Sequence, residues 1–178
     1  MNIRYITGRG GSGTGGLSAY LRTLSDDFDV LPIDPDFLVL DLEDQINSVR
    51  QFVTRDTGNV IANSYGAYLL LQALIDQPPC QSRVLLLSPV LGRALDKERM
   101  LFSRPPREKT LRKAITEGRL GAPLHLEIVT GQEDEICDAA LAADFGRQLN
   151  IKVTILDGQG HMLDPSKVSQ AVGEFLQG

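Results

Sequence analysis

The sequence of 178 residues contains no tryptophan, only two histidines and only two cysteines. Cys80 and Cys137 are too few and too far apart for a disulfide framework or a metal-binding motif, so we expect reduced thiols in a cytoplasmic protein. No apolar run approaches the length of a membrane span, and no charged-then-apolar signal peptide opens the chain. These absences favour an ordinary globular protein without a metal, and the length predicts one domain, residues 1–178.

Positive charge is scarce overall but concentrated in one segment. The net charge is −5, yet residues 90–121 hold nine of the eighteen Lys and Arg residues and only four acids. The acidic remainder argues against general nucleic-acid binding. The basic segment is either a solvated surface helix or a cationic lid or rim that attracts an anionic substrate or an acidic partner protein, and both interpretations stay open.

Apolar runs alternate with amphipathic stretches along the chain. Strands are predicted at 1–7, 28–33, 59–63, 83–87, 124–129 and 151–156, and helices at 17–24, 41–55, 65–76, 107–116, 137–149 and 165–176. Each strand-to-strand connection is long enough for a crossover, which joins parallel strands. The pattern predicts an α/β fold: a three-layer α/β/α sandwich with a mostly parallel sheet of about six strands.

A serine stands where the third predicted strand turns directly into a helix. Such a turn requires a strained backbone at Ser64 and very small side chains two residues before and after it. Ala62 and Gly66 meet that requirement. This small-x-Ser-x-small pattern is typical of a nucleophile elbow.

A serine hydroxyl needs a base and a group that orients the base. His125 is predicted in mid-strand and is interpreted as structural or as exposed at a sheet edge. His161 lies in a glycine-rich loop after the last strand and is the candidate base. The orienting acid is expected at the end of the preceding strand, where Glu133, Asp134 and Glu135 follow one another.

The elbow, the acidic turn and the histidine loop together resemble the α/β-hydrolase superfamily, in its compact serine hydrolase or esterase form without a cap. The resemblance implies that Ser64 is the nucleophile, that Asp134, in a Gly-x-x-Asp turn, is the acid, and that His161 is the base. It also implies an oxyanion hole made by the backbone N–H groups of Tyr65 and of either Arg9 or Gly10. The implied reaction is the cleavage of a carboxylic ester or related acyl bond of a small molecule, without a cofactor.

Two other functions remain open. The loop Gly8-x-Gly10-x-x-Gly13, with Asp34 further on, also fits the fingerprint of a dinucleotide-binding oxidoreductase. Alternatively, the chain could be a catalytically silent hydrolase-fold protein that acts through its basic segment.

Overall fold

A computed structural model describes residues 1–92 and 104–178 of the chain. Six strands form one sheet in the order β2-β1-β3-β4-β5-β6, and every neighbouring pair is parallel. The strands are β1 (Asn2–Arg9), β2 (Asp27–Ile33), β3 (Asn59–Asn63), β4 (Arg83–Leu87), β5 (Leu126–Gly131) and β6 (Lys152–Leu156). The predicted α/β class and parallel sheet are confirmed.

Helices cover both faces of this sheet. They are α1 (Gly16–Leu24), α2 (Pro35–Leu38), α3 (Leu42–Thr54), α4 (Ser64–Ala73), α5 (Glu108–Thr116), α6 (Ala139–Leu149) and α7 (Pro165–Gln177). Helices α1 and α7 pack on one face, and α2 to α6 pack on the other. Successive strand residues point to opposite faces, so Val60 and Ala62 join one core while Ile61 joins the other. This is why the central strands β3 and β4 contain continuous apolar runs, Val60–Ala62 and Val84–Leu87.

The predicted and observed elements differ mainly at their ends. Strand β5 begins two residues later than predicted, so His125 precedes the strand and is not in mid-strand. Its side chain is 40% exposed and contacts Glu127. The short helix α2 was not predicted; it follows Asp34 directly, and Pro35 occupies its first turn. Pro165 opens α7 as predicted, because its fixed φ suits a first helical turn.

The predicted basic segment, residues 90–121, is described only in part. Its residues 93–103 lie outside the described ranges. Helix α5 matches the predicted helix within one residue at its start. Across the described ranges, no helix combines the length and apolar character needed to cross a membrane.

The topology places the functional loops next to one another. Strands β1 and β3 are neighbours, while the chain leaves β1 towards β2 on one side and continues from β3 to β4 on the other. Loops therefore diverge at the carboxyl ends of β1 and β3, which is where open α/β sheets bind ligands. The glycine-rich loop follows β1, and Ser64 follows β3.

Candidate active site

Ser64 occupies a strained turn between β3 and α4. Its φ is +51°, in the left-handed region that a non-glycine residue rarely adopts. A Cβ atom at Gly66 would lie 2.2 Å from the carbonyl oxygen of Thr7, so the helix backbone is packed directly against β1. Ala62 is fully buried under the same turn. The two small residues of the motif thus permit the close approach that holds the serine above the sheet.

Three side chains from three different loops form a hydrogen-bonded chain. Ser64 Oγ lies 2.9 Å from His161 Nε2. His161 Nδ1 lies 3.0 Å from each carboxylate oxygen of Asp134. With Asp134 ionised, Nδ1–H donates to the carboxylate, which leaves Nε2 free to accept the serine proton.

The Asp134 carboxylate is held in place by the backbone that follows it. Its side chain is fully buried, and Oδ1 accepts hydrogen bonds from the backbone N–H groups of Ile136 at 2.9 Å and Cys137 at 2.7 Å. These two hydrogen bonds fix the orientation of a carboxylate that water does not reach. Burial, and then the negative charge of Asp134, raise the pKa of the Cys137 thiol, so this thiol stays protonated and does not compete as a base.

The loop that carries His161 is fastened to the turn that carries Asp134. The backbone N–H of Glu133 donates to the carbonyl of Gln159 at 2.9 Å. A Cβ atom at Gly131 would lie 2.1 Å from that same carbonyl oxygen, so only glycine allows the two loops to approach this closely. The side chains of Glu133 and Glu135 are exposed, and the acid that reaches His161 is Asp134.

The amide groups expected to form an oxyanion hole differ in their surroundings. The backbone N–H of Tyr65 stands in the first turn of α4, directly after Ser64. The N–H of Gly10 donates to the carbonyl of Ile33 at 2.7 Å and is therefore engaged. Arg9 ends β1, and its guanidinium lies 5.8 Å from the centre of the Tyr65 ring. Burial raises the pKa of the Tyr65 hydroxyl, although the charge of Arg9 lowers it in part.

The residues of the possible dinucleotide fingerprint have other structural contacts. Asp34, the acid expected to bind a ribose, caps α2 by accepting a hydrogen bond from the Phe37 N–H at 2.8 Å. In the glycine-rich loop, a Cβ atom at Gly8 would lie 3.3 Å from that of Ser64, so this loop borders the serine.

Several positively charged side chains in the described part of the basic segment form ion pairs with acidic side chains. Arg107 contacts Glu43 at 2.7 Å, and Arg119 contacts Asp76, also at 2.7 Å. Such exposed pairs are typical of a solvated surface.

The sequence matches the serine hydrolase family over residues 25–170, which is most of the chain. The chain belongs to the serine hydrolase family. Membership of this family supports hydrolysis as the reaction class. The dinucleotide-binding alternative is then favoured only by the glycine spacing of the loop after β1. None of the curated proteins matches the sequence significantly.

Solved structures of low sequence identity share the fold. The ydeN gene product of B. subtilis is 18% identical with a TM-score of 0.63, and the match covers 99% of both chains. A monoacylglycerol lipase of Paleococcus ferrophilus is 13% identical with a TM-score of 0.71, covering 98% of this chain and 93% of that one. A YdeN-like hydrolase of Pectobacterium atrosepticum is 13% identical with a TM-score of 0.68, covering 99% and 90%.

Several residues around this candidate site could not be predicted from the sequence. The backbone donors to Asp134 come from residues whose types carry no signal, because any amino acid except proline supplies an N–H. Ser88 follows β4, has a φ of +40° and lines a cavity beside His161. Its place at the end of an apolar strand is the one signal that could have identified it.

Proposed function

We propose that the protein cleaves a carboxylic ester or a related acyl bond through an acyl-enzyme on Ser64, with His161 as base and Asp134 as orienting acid. The observation that carries this proposal is the continuous hydrogen-bonded chain from Ser64 Oγ through His161 to a buried carboxylate. A serine on a strained turn, hydrogen-bonded to an imidazole that a carboxylate orients, is an activated nucleophile. These three side chains supply the nucleophile, the base and the orienting acid that an acyl transfer requires.

The reaction would proceed in two transfers. Ser64 Oγ attacks the carbonyl carbon while its proton moves to His161 Nε2, and the carbonyl oxygen becomes an oxyanion. As the intermediate collapses, His161 gives the proton to the departing alcohol oxygen, and the acyl group stays on Ser64. Water then enters, loses a proton to His161 and releases the acid, with Ser64 taking the proton back.

The oxyanion would be stabilised by the backbone N–H of Tyr65 and by a second N–H from the loop after β1, at Arg9 or Gly10. The Gly10 N–H donates to the Ile33 carbonyl, so it would have to exchange that hydrogen bond for one to the oxyanion. Two preorganised donors stabilise negative charge most strongly in the transition state, and losing one typically costs about 10²–10³ in kcat.

The substrate is expected to be a small molecule. A cavity of about 390 Å³ next to Tyr65 is lined by Arg9 and Arg104, and its positive charge favours an anionic substrate. An anionic group of the substrate would bind there. Replacing Arg104 with Gln should then raise KM for an anionic ester more than for a neutral one.

Detection of the acyl-enzyme tests this proposal directly. The native protein, incubated with p-nitrophenyl acetate and quenched in acid, should gain one acetyl group on the peptide that contains Ser64. The matched control is Ser48→Ala, a serine within α3, which should acylate like the native protein. Acetylation that persists in Ser64→Ala, or turnover without any adduct on Ser64, would contradict the assignment.

A further inference from the structure

A cavity of about 330 Å³ opens beside His161, between the sheet and helices α1 and α7. Most of its wall is apolar and comes from Leu17 and Tyr20 of α1, Leu87 of β4, Leu163 before α7 and Val168 of α7. Its polar lining includes Asn63, which directly precedes the nucleophile, and Ser88. The cavity is therefore lined by the proposed base, His161, and by the residue that directly precedes the proposed nucleophile.

Charge distinguishes this cavity from the arginine-lined one on the other side of Tyr65. Among the described residues that line it, none is Lys, Arg, Asp or Glu, and His161 is the one residue that could carry a charge. A charged group placed here would lose its hydration without gaining a counter-ion. The lining therefore selects an uncharged, largely apolar group.

One polar group in this cavity has no partner among the residues that the structure describes. Ser88 is 1% exposed, and its hydroxyl oxygen makes no hydrogen bond there. The backbone is fixed, because the N–H of Ser88 donates to the Val129 carbonyl at 2.8 Å and φ is +40°. Buried hydroxyls are normally paired, and strained residues cluster where a ligand is held. The hydroxyl is thus placed to bind a polar atom within an otherwise apolar group.

We propose that this cavity binds the acyl half of the substrate and that Ser88 hydrogen-bonds a hydroxyl or carbonyl oxygen of that acyl group. This inference rests on the proposed function. A water-sized group takes up about 30 Å³, so the cavity has room for roughly ten non-hydrogen atoms. The preferred substrates are then neutral esters of medium-length hydroxyacyl or oxoacyl groups, and Ser88 is a specificity-determining residue.

The two-step reaction is the reason for assigning the acyl half to the cavity. The alcohol leaves first, and water must replace it next to His161 before the second step. The acyl group stays attached to Ser64 through both steps. A walled cavity beside the nucleophile suits the half that remains, whereas the departing half needs an open path to solvent.

The test compares p-nitrophenyl esters of hexanoate and 3-hydroxyhexanoate, which differ by one hydroxyl. We expect the native protein to favour the hydroxyacyl ester in kcat/KM, and Ser88→Ala to reduce that preference by about two- to tenfold, the contribution of one hydrogen bond. Ser88→Gly removes the same hydroxyl and accepts the positive φ without strain, so it should reproduce the effect if the alanine variant folds poorly. An unchanged preference in both folded variants would overturn the role of Ser88.

A second pair of series separates the acyl half from the alcohol half. Leu17→Phe reduces the volume of the cavity. It should lower the turnover of p-nitrophenyl octanoate relative to p-nitrophenyl acetate, which differ in the acyl group. It should leave the turnover of octyl acetate relative to ethyl acetate, which differ in the alcohol, unchanged. A change confined to the alcohol series would overturn the acyl assignment. Labelling of Ser64 by a fluorophosphonate in the native protein reports the proposed function separately. Labelled protein with unchanged preferences refutes the inference alone, and unlabelled protein refutes both.

Discussion

The contact between Gly66 and β1 gives a quantitative prediction for Gly66→Ala. The added Cβ would lie 2.2 Å from the Thr7 carbonyl oxygen, and real Cβ contacts are essentially never shorter than 3.0 Å, so the two backbones must separate by at least 0.8 Å. Overpacking of this kind costs about 1–3 kcal/mol of unfolding free energy. The displaced strand carries Arg9, and a misplacement of about 1 Å in a site can reduce the rate about 10²-fold.

Gly173 supplies a matched control for this substitution. It lies inside α7, and a Cβ atom there would meet nothing within 4 Å. Alanine in a helix interior is about 0.5–1 kcal/mol more favourable than glycine, so Gly173→Ala should stabilise the protein slightly. Urea unfolding followed by circular dichroism measures both stabilities, and hydrolysis of p-nitrophenyl acetate below the transition measures the rate. If Gly66→Ala were as stable and as active as Gly173→Ala, the proposed close packing of the elbow would be wrong.

Three further predictions concern charged groups. Asp134→Asn should lower kcat by about 10³–10⁴, because an amide N–H facing His161 Nδ1 would leave the ring proton on Nε2; activity within tenfold of native would argue against the triad. Arg4→Met should lower the unfolding free energy measured in urea by about 3 kcal/mol or more, because the fully buried guanidinium donates to three backbone carbonyls at and after the end of α3. Folded Arg4→Met protein should still be labelled on Ser64. An unchanged unfolding midpoint would refute this prediction. Burial raises the pKa of Glu127, but hydrogen bonds, above all from Lys152, outweigh burial and leave this pKa below its ordinary value of 4.5. The Glu127–Lys152 pair therefore stabilises the fold above pH 4.5, and this stabilisation is lost as the pH falls through the lowered pKa. Lys152→Met should therefore cost at most about 1 kcal/mol at pH 7, and this cost should shrink as the pH falls through the lowered pKa of Glu127. A cost that did not change with pH would contradict this origin.

The main elements could be predicted because their signals are local. Continuous apolar runs identify strands covered on both faces, and β4 has the same bounds in the prediction and the structure. Strand β5 was misplaced because Leu124 is apolar but 88% exposed, so hydrophobicity alone extended the strand backwards. The short helix α2 depends on a capping bond from Asp34 over a single turn, too short for a periodic pattern to reveal.

The candidate site was predicted only as far as side chains carry the chemistry. Ser64, Asp134 and His161 could be singled out by residue type and by their positions after strands, and the structure brings them within hydrogen-bonding distance. The choice between the Arg9 and Gly10 amides depends on the backbone bond from Gly10 to Ile33, which leaves no trace in the residue types. Likewise, the cavity at Ser88 arises from the packing of α1 and α7, two helices far apart in the chain.

Labelling with a fluorophosphonate probe tests the central claim most directly, because the probe reacts only with a serine that a base has activated. We expect the native protein to be labelled on Ser64, and expect no labelling in Ser64→Ala or His161→Ala at the same protein concentration. Circular dichroism of each sample shows whether it is folded. Folded native protein that resists the probe, or equal labelling of Ser64→Ala, would contradict the assignment of an activated serine at the end of β3.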